Sequence, residues 1–277
     1  MNKPIGIFDS GIGGVTVLRE IIKILPNEEY IYYSDSLYNP YGDRTQKEIQ
    51  DRSDYIVQYL IDKNCKAIVI ACNTATAMAV NYLRSKYTKI PIIAIEPAYK
   101  MVYDYSYKNP TLVMATKGTI KSERFNILLQ KYDNKKTTLL SCIGLADIIE
   151  KGDQKEIKDY LDKNISKYKG KVKNVVLGCT HYPLIEKEIK EVLGEDIIIF
   201  QGAERLVVHL KDVLEEKGLI QKENLEKEKI NDSNEKEIIE KEKTNKSNLK
   251  EKNKTNIIFI DSSNNEVKKE RFYELLK

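Results

Sequence analysis

The sequence predicts an α/β protein of two pseudo-symmetric halves, each with a mainly parallel sheet, facing one another across a cleft. Short β-branched runs alternate with helix-period patterns along most of the chain. Several landmarks recur at a single offset of 107 residues: Cys72 with Cys179, Gly11 with Gly118, Ile5 with Leu112. Both cysteines of the repeat end an apolar run and open a polar one.

Taken in order, the first strand is predicted over residues 5–8, followed by a helix over 14–25. In that helix Leu18, Ile21, Ile22 and Leu25 recur at i, i+3, i+4 and i+7. Further strands are predicted over 30–33, 67–71 and 91–95, with helical patterns between them. A second set follows over 111–115, 137–142, 174–177 and 196–200. Strands separated by helices imply crossover connections, hence parallel sheets with helices on both faces.

Residues 221–255 differ in kind. They hold 10 Lys and 9 Asp or Glu and no Gly, Pro or aromatic residue. Such a segment lacks the apolar surface for a core, and reads as a charged, disordered or solvated surface insertion. A strand pattern resumes at 256–260, and a short helix closes the chain through Tyr273 and Leu276.

Composition narrows the function classes. The 277 residues favour two domains, and 41% apolar content supports real cores. With 46 basic against 42 acidic residues, the net charge of +4 gives little basis for a nucleic-acid partner. No apolar run reaches membrane-spanning length, and the N-terminus does not read as a signal peptide, so no membrane partner and a cytoplasmic location are expected. The cysteines at 65, 72, 142 and 179 form no Cys-x-x-Cys pair, and there are two histidines. Free thiols and no metal site are expected.

The chemistry sits at the strand ends, where ligands of open α/β sheets bind. Cys72-Asn73-Thr74 and Cys179-Thr180-His181 each follow a strand. A cysteine taken singly can be a small buried apolar residue. At a helix start, however, the dipole and free N–H groups favour a thiolate. Two such thiols on opposite walls suit proton removal from one face of a carbon and delivery to the other. Asn73, Thr74 and Thr180 can cradle a carboxylate or simply cap helices. His181, two residues after Cys179, can protonate or orient that thiol, whereas His209 lies on a helical run and reads as packing or surface.

Asp9-Ser10-Gly11-Ile12-Gly13-Gly14 follows the first strand. It is neither a dinucleotide loop, because Thr16 holds the third glycine position, nor a P-loop. Its glycines allow a tight turn and close ligand approach, leaving Asp9 and Ser10 at the cleft. The turn-rich Asn39-Pro40-Tyr41-Gly42 can offer backbone amides to a carboxylate.

Together these segments resemble the cofactor-independent glutamate racemases. The pieces are Asp9-Ser10-Gly-x-Gly-Gly14, Ser34-Asp35 with Pro40-Tyr41-Gly42, Cys72-Asn73-Thr74, Glu96-Pro97, and Gly178-Cys179-Thr180-His181-Tyr-Pro-Leu184. The resemblance implies two α/β domains with the active site between them. We place the first over 1–97 plus 209–277 and the second over 98–208. It implies that Cys72 and Cys179 are the two acid/base residues, Cys72 on the D face and Cys179 on the L face of glutamate. It adds Asp9, His181 and Glu150 as assisting groups. Asp9, Ser10, Tyr41, Gly42, Asn73, Thr74, Thr180 and His181 match the family's substrate contacts.

Two departures stand out: Gln201-Gly202 replaces an Asp-Ser-like pair, and the charged stretch 221–255 has no family counterpart. No cofactor is expected, since nothing resembles a pyridoxal lysine site. The resemblance implies D-glutamate supply for peptidoglycan. Oligomeric state stays open, a homodimer among the options. The alternatives are a racemase for aspartate or another amino acid, a cysteine-nucleophile amide hydrolase, or a non-catalytic binding protein on the same scaffold.

Overall fold

The computed structural model describes residues 3–221 and 257–277; the charged stretch predicted over 221–255 lies outside them apart from Gln221. The order of elements is β1 (Ile5–Asp9), α1 (Val15–Ile24), β2 (Tyr30–Ser34), α2 (Gln46–Asp62), β3 (Ala67–Ile70), α3 (Asn73–Lys86) and β4 (Ile92–Ala94). Next come α4 (Tyr99–Ser106), β5 (Thr111–Ala115), α5 (Lys117–Lys121), α6 (Glu123–Tyr132), β6 (Thr137–Ser141), α7 (Leu145–Lys151) and α8 (Gln154–Asn164). The chain then forms β7 (Asn174–Gly178), α9 (Glu186–Leu193), β8 (Ile198–Phe200), α10 (Ala203–Glu216), β9 (Ile257–Asp261) and α11 (Glu266–Leu276).

Every strand pairing is parallel. The first sheet has the order β4-β3-β1-β2-β9 and the second β6-β5-β7-β8. Read from the other edge, the second sheet is β8-β7-β5-β6, the order of the first without β9. Tyr30 of β2 and Thr137 of β6 lie 107 positions apart, as do Ala67 of β3 and Asn174 of β7. The offset seen in the sequence is therefore a repeat of topology.

Buried strands alternate their side chains between two apolar layers. In the first sheet Ile5, Ile7 and Val69 pack with Leu18 and Ile21 of α1, Leu206, Leu210 and Leu214 of α10, and Phe272 of α11. On the other face Phe8, Ile68 and Ile70 meet Ile49, Ile56 and Leu60 of α2 and Val80 and Leu83 of α3. The second sheet repeats the plan. Leu112, Met114 and Val175 face α7, α8 and α9, while Val113 and Val176 face Tyr99 and Val102 of α4 and Phe125 of α6.

Local chemistry fixes where helices begin. Thr45 and Glu48 form a reciprocal capping box on α2, and the hydroxyls of Thr116 and Ser122 cap α5 and α6. Because α10 packs with the first sheet over its whole length, the predicted division at 208/209 falls inside this helix. Strands β4 and β8 are shorter than predicted, since the ends of the runs 91–95 and 196–200 lie outside the paired registers. Among the described residues, no helix is long and apolar enough to cross a membrane.

Candidate active site

Cys72 and Cys179 occupy equivalent ends of β3 and β7 and line one small cavity between the two sheets. Ser10, Tyr41, Gly42, Asn73, Thr74, Thr180 and His181 line it too. Asp9 and Glu150 stand behind this wall. The cavity encloses about 30 Å³, room for about two water molecules and far too little for an amino acid. Substrate access therefore requires the walls to part.

Cys72 is flanked by amide and hydroxyl side chains. Cys72 caps α3, its Sγ accepting from Ala75 N at 3.5 Å. Thr74 shares hydrogen bonds with the hydroxyls of Thr116, at 2.9 Å, and Thr119, at 3.5 Å. Asn73 is buried, with neither atom of its side-chain amide bonded within the protein. Buried polar groups seek partners, so this amide is available to a ligand. The helix start was expected to favour a thiolate here. Instead burial, reinforced by the Asp9 carboxylate, pushes the Cys72 thiol up and keeps it protonated.

The Cys179 side is charged. Its Sγ lies 3.7 Å from His181 Nδ1, and His181 Nε2 lies 2.6 Å from Glu150 Oε2. Burial works against a charged imidazole, but the partners Cys179 and Glu150 outweigh it and hold His181 well above its usual value. Burial likewise pushes Glu150 up, but bonding to His181 brings it below the ordinary carboxylate value. Each of the two thus favours the charged form of the other. Behind Thr180, whose hydroxyl donates to Asp9 at 3.3 Å, Asp9 accepts from Gly14 N at 2.9 Å. Burial pushes Asp9 up. The chain after Cys179 forms a 3-10 turn, Tyr182–Ile185, before α9 begins. Cys179 therefore owes its electrostatics to His181 rather than to a helix start.

The glycine loop also makes room for the other half. A Cβ at Gly13 would sit 2.4 Å from His181 Nδ1, and one at Gly11 would sit 2.7 Å from Glu150 Oε1. At both positions the close approach within the protein is made by the other half's His–Glu pair. Ile12 N–H donates to both Glu150 oxygens at 3.3 Å, and Thr16 donates to Thr180 O at 3.1 Å. Thr16 at the third glycine position thus ties the two halves together.

Several residues at the site were missed in the sequence. Thr116 and Lys117 line the cavity, and the 107 offset that pairs the cysteines also lays them on Asp9 and Ser10. Tyr41 directs its hydroxyl away, donating to Asp35 at 2.5 Å, and Asp35 is held by Arg52 at 2.6 Å. That leaves the Tyr41–Gly42 backbone, rather than the phenol, to face the cavity. Cys142, read as structural, lines the same wall, and burial pushes its thiol up to about 12. Glu96-Pro97 and Gln201-Gly202 carry the chain between the halves. A Cβ at Gly202 would lie 2.3 Å from Glu96 O, so the two crossings run side by side. They border a larger hollow of about 940 Å³ that includes His209 and neither thiol.

Residues 5–210 match the family model described as Asp/Glu/hydantoin racemase. The glutamate racemase of Clostridium novyi is 46% identical over 212 residues, covering 75% of this chain and 82% of the relative. A crystal structure of Francisella tularensis glutamate racemase in complex with D-glutamate is 32% identical with a TM-score of 0.70, covering 79% of this chain and 84% of that one. Escherichia coli glutamate racemase, solved with L-glutamate and an activator, is 29% identical with a TM-score of 0.71, covering 77% and 83%. With that match spanning β1 to β8 and both cysteine turns, the chain belongs to the Asp/Glu/hydantoin racemase family.

Proposed function

We infer that this chain is a glutamate racemase, interconverting L- and D-glutamate without pyridoxal phosphate and supplying D-glutamate for peptidoglycan. The observation that carries the reading is the pair of buried thiols at equivalent strand ends, one capping a helix and the other beside the His181–Glu150 pair. Relatives bind each enantiomer, D-glutamate in one crystal structure and L-glutamate in another.

In the proposed reaction Cys179 takes the α-proton of L-glutamate while Cys72 donates one to the opposite face. The reverse direction exchanges their roles. His181 and Glu150 assist Cys179, and Asp9 stands behind Thr180 and beside Cys72. Backbone amides at the Ser10 and Tyr41–Gly42 turns, with Asn73, Thr74 and Thr180, hold the carboxylates and stabilise the charge that develops on the α-carboxylate. Closing the walls removes water and strengthens these contacts.

We assign the first domain to the segments around β1–β4 and α10–α11 and the second to α4 through β8. A cytoplasmic location completes the proposal, with no nucleic-acid or membrane partner. The test is L-glutamate with no added pyridoxal phosphate. Optical rotation should decay to zero. Ammonia release from an amide substrate without racemisation would favour the hydrolase, and racemisation of aspartate in preference to glutamate would redirect the substrate.

A further inference from the structure

Helix α11 belongs to the first half. Its Phe272 is fully buried, with ring centroids 4.7 Å from Tyr32 and 4.2 Å from Phe259. Two cations on this helix nevertheless reach the second half, at Glu150. Lys268 Nζ lies 3.6 Å from Glu150 Oε1. Arg271 Nη2 donates to Ile149 O at 2.6 Å, and its Nη1 donates to Glu150 O. These carbonyls lie in the last turn of α7, where helical partners run out and a cation complements the dipole.

The chain makes space for this contact. Gly152 follows α7 with φ 79°, and a Cβ there would lie 2.6 Å from Arg271 Nη2. The Glu150 carboxylate is then held from three sides. His181 Nε2 holds Oε2 at 2.6 Å, Lys268 faces Oε1, and Ile12 N–H reaches both. Asp9, Asp147 and the Tyr32 phenol also face Glu150, and none of them supplies positive charge.

We propose that Lys268 and Arg271 are positioning residues that fix the Glu150 carboxylate on His181 from across the domain boundary. Neither reaches the cavity, so both act through Glu150. The proposal rests on the reading of Cys179 and His181 as an acid–base unit. It makes the C-terminal helix part of one catalytic wall and leaves the other wall untouched.

The experiment measures racemisation by full-length wild type, Lys268→Met, Lys268→Arg and Arg271→Met, across about pH 5 to 10. The two Met variants are also made in a Glu150→Gln background. Each Met variant should lower kcat/KM about tenfold, mainly through kcat. Lys268→Met should move the acid limb of the profile to higher pH, because a carboxylate that loses a nearby cation protonates more readily. Lys268→Arg should restore both. In the Glu150→Gln background each Met substitution should cost less than about twofold, since groups acting through one residue are not additive.

Lys268 is partly exposed, so its replacement leaves the fold in place, and Gly152→Ala displaces Arg271 independently. Additive losses in the Glu150→Gln background, or an unmoved acid limb in Lys268→Met, would overturn the proposal alone. A folded wild-type chain that does not racemise glutamate would overturn the reading of the site and this proposal with it.

Discussion

Cys72 and Cys179 end equivalent strands of two sheets with the same order, yet they sit in different electrostatic settings. At the 107 offset His181 corresponds to Thr74, and Asp9 to Thr116. The residues two positions after each cysteine differ accordingly: Thr74 bonds Thr116, while His181 bonds Glu150. The repeat supplies two thiols in equivalent positions, and the substitutions between its halves give them different neighbours. A two-base racemisation needs that inequality, since one thiol must begin with a proton and the other without. Burial pushes the Cys72 thiol up, while Cys179 has the His181–Glu150 pair beside it.

The largest effects should come from removing a thiol. Cys72→Ser and Cys179→Ser should each lower racemisation by about 10³-fold or more, as loss of a general acid or base does; normal turnover by either would abolish the comparison. Next is the contrast between helpers. His181→Gln should lower kcat by about a hundredfold, and Thr74→Val by about tenfold. Enantiomers have an equilibrium constant of one, so kcat/KM must fall equally in both directions. The asymmetry is therefore read in kcat and KM measured separately from L- and D-glutamate. Equal losses in the two variants would mean that the walls do not differ in function.

A smaller effect is expected from Gly13→Ala, whose Cβ would press on the His181 ring at 2.4 Å. It should cost about tenfold in kcat by displacing the imidazole, while Gly170→Ala, with no atom near its Cβ, should leave kcat unchanged. The smallest concerns stability. His181 is raised from 6.5, so its contribution is complete below that pH and is lost as pH rises through the folded value. Glu150 is lowered from 4.5, so its contribution is present above that pH and is lost as pH falls through the folded value. Both contributions are in place between 4.5 and 6.5. Tm of Glu150→Gln, followed against pH, should lose much of this dependence.

Much of this was legible because it is written locally. The alternation of runs gave both sheets, and the 107 offset held at the level of strands. Cys72, Cys179 and the polar residues after them reached one cavity. What the sequence hid depends on tertiary approach. The need for Gly11 and Gly13 comes from Glu150 and His181, distant residues that no turn propensity reveals. The Cys72 environment was misjudged because burial and Asp9 outweigh a helix start, and burial depends on the assembled walls. Thr116 was within reach of the same offset. Lys268 and Arg271 were not, because their meeting with Glu150 arises only when β9 joins the edge of the first sheet and sets α11 against α7.

The two-thiol comparison is tested most directly by initial-rate racemisation of L-glutamate in heavy water, with deuterium measured at the α-position of both product and recovered substrate. One thiol removes the proton and another, already exchanged with solvent, delivers its replacement. Each D-glutamate formed should therefore carry one deuterium, while recovered L-glutamate carries almost none. Product that keeps its original hydrogen, or deuterium appearing as fast in the recovered substrate as in the product, would contradict two opposed bases.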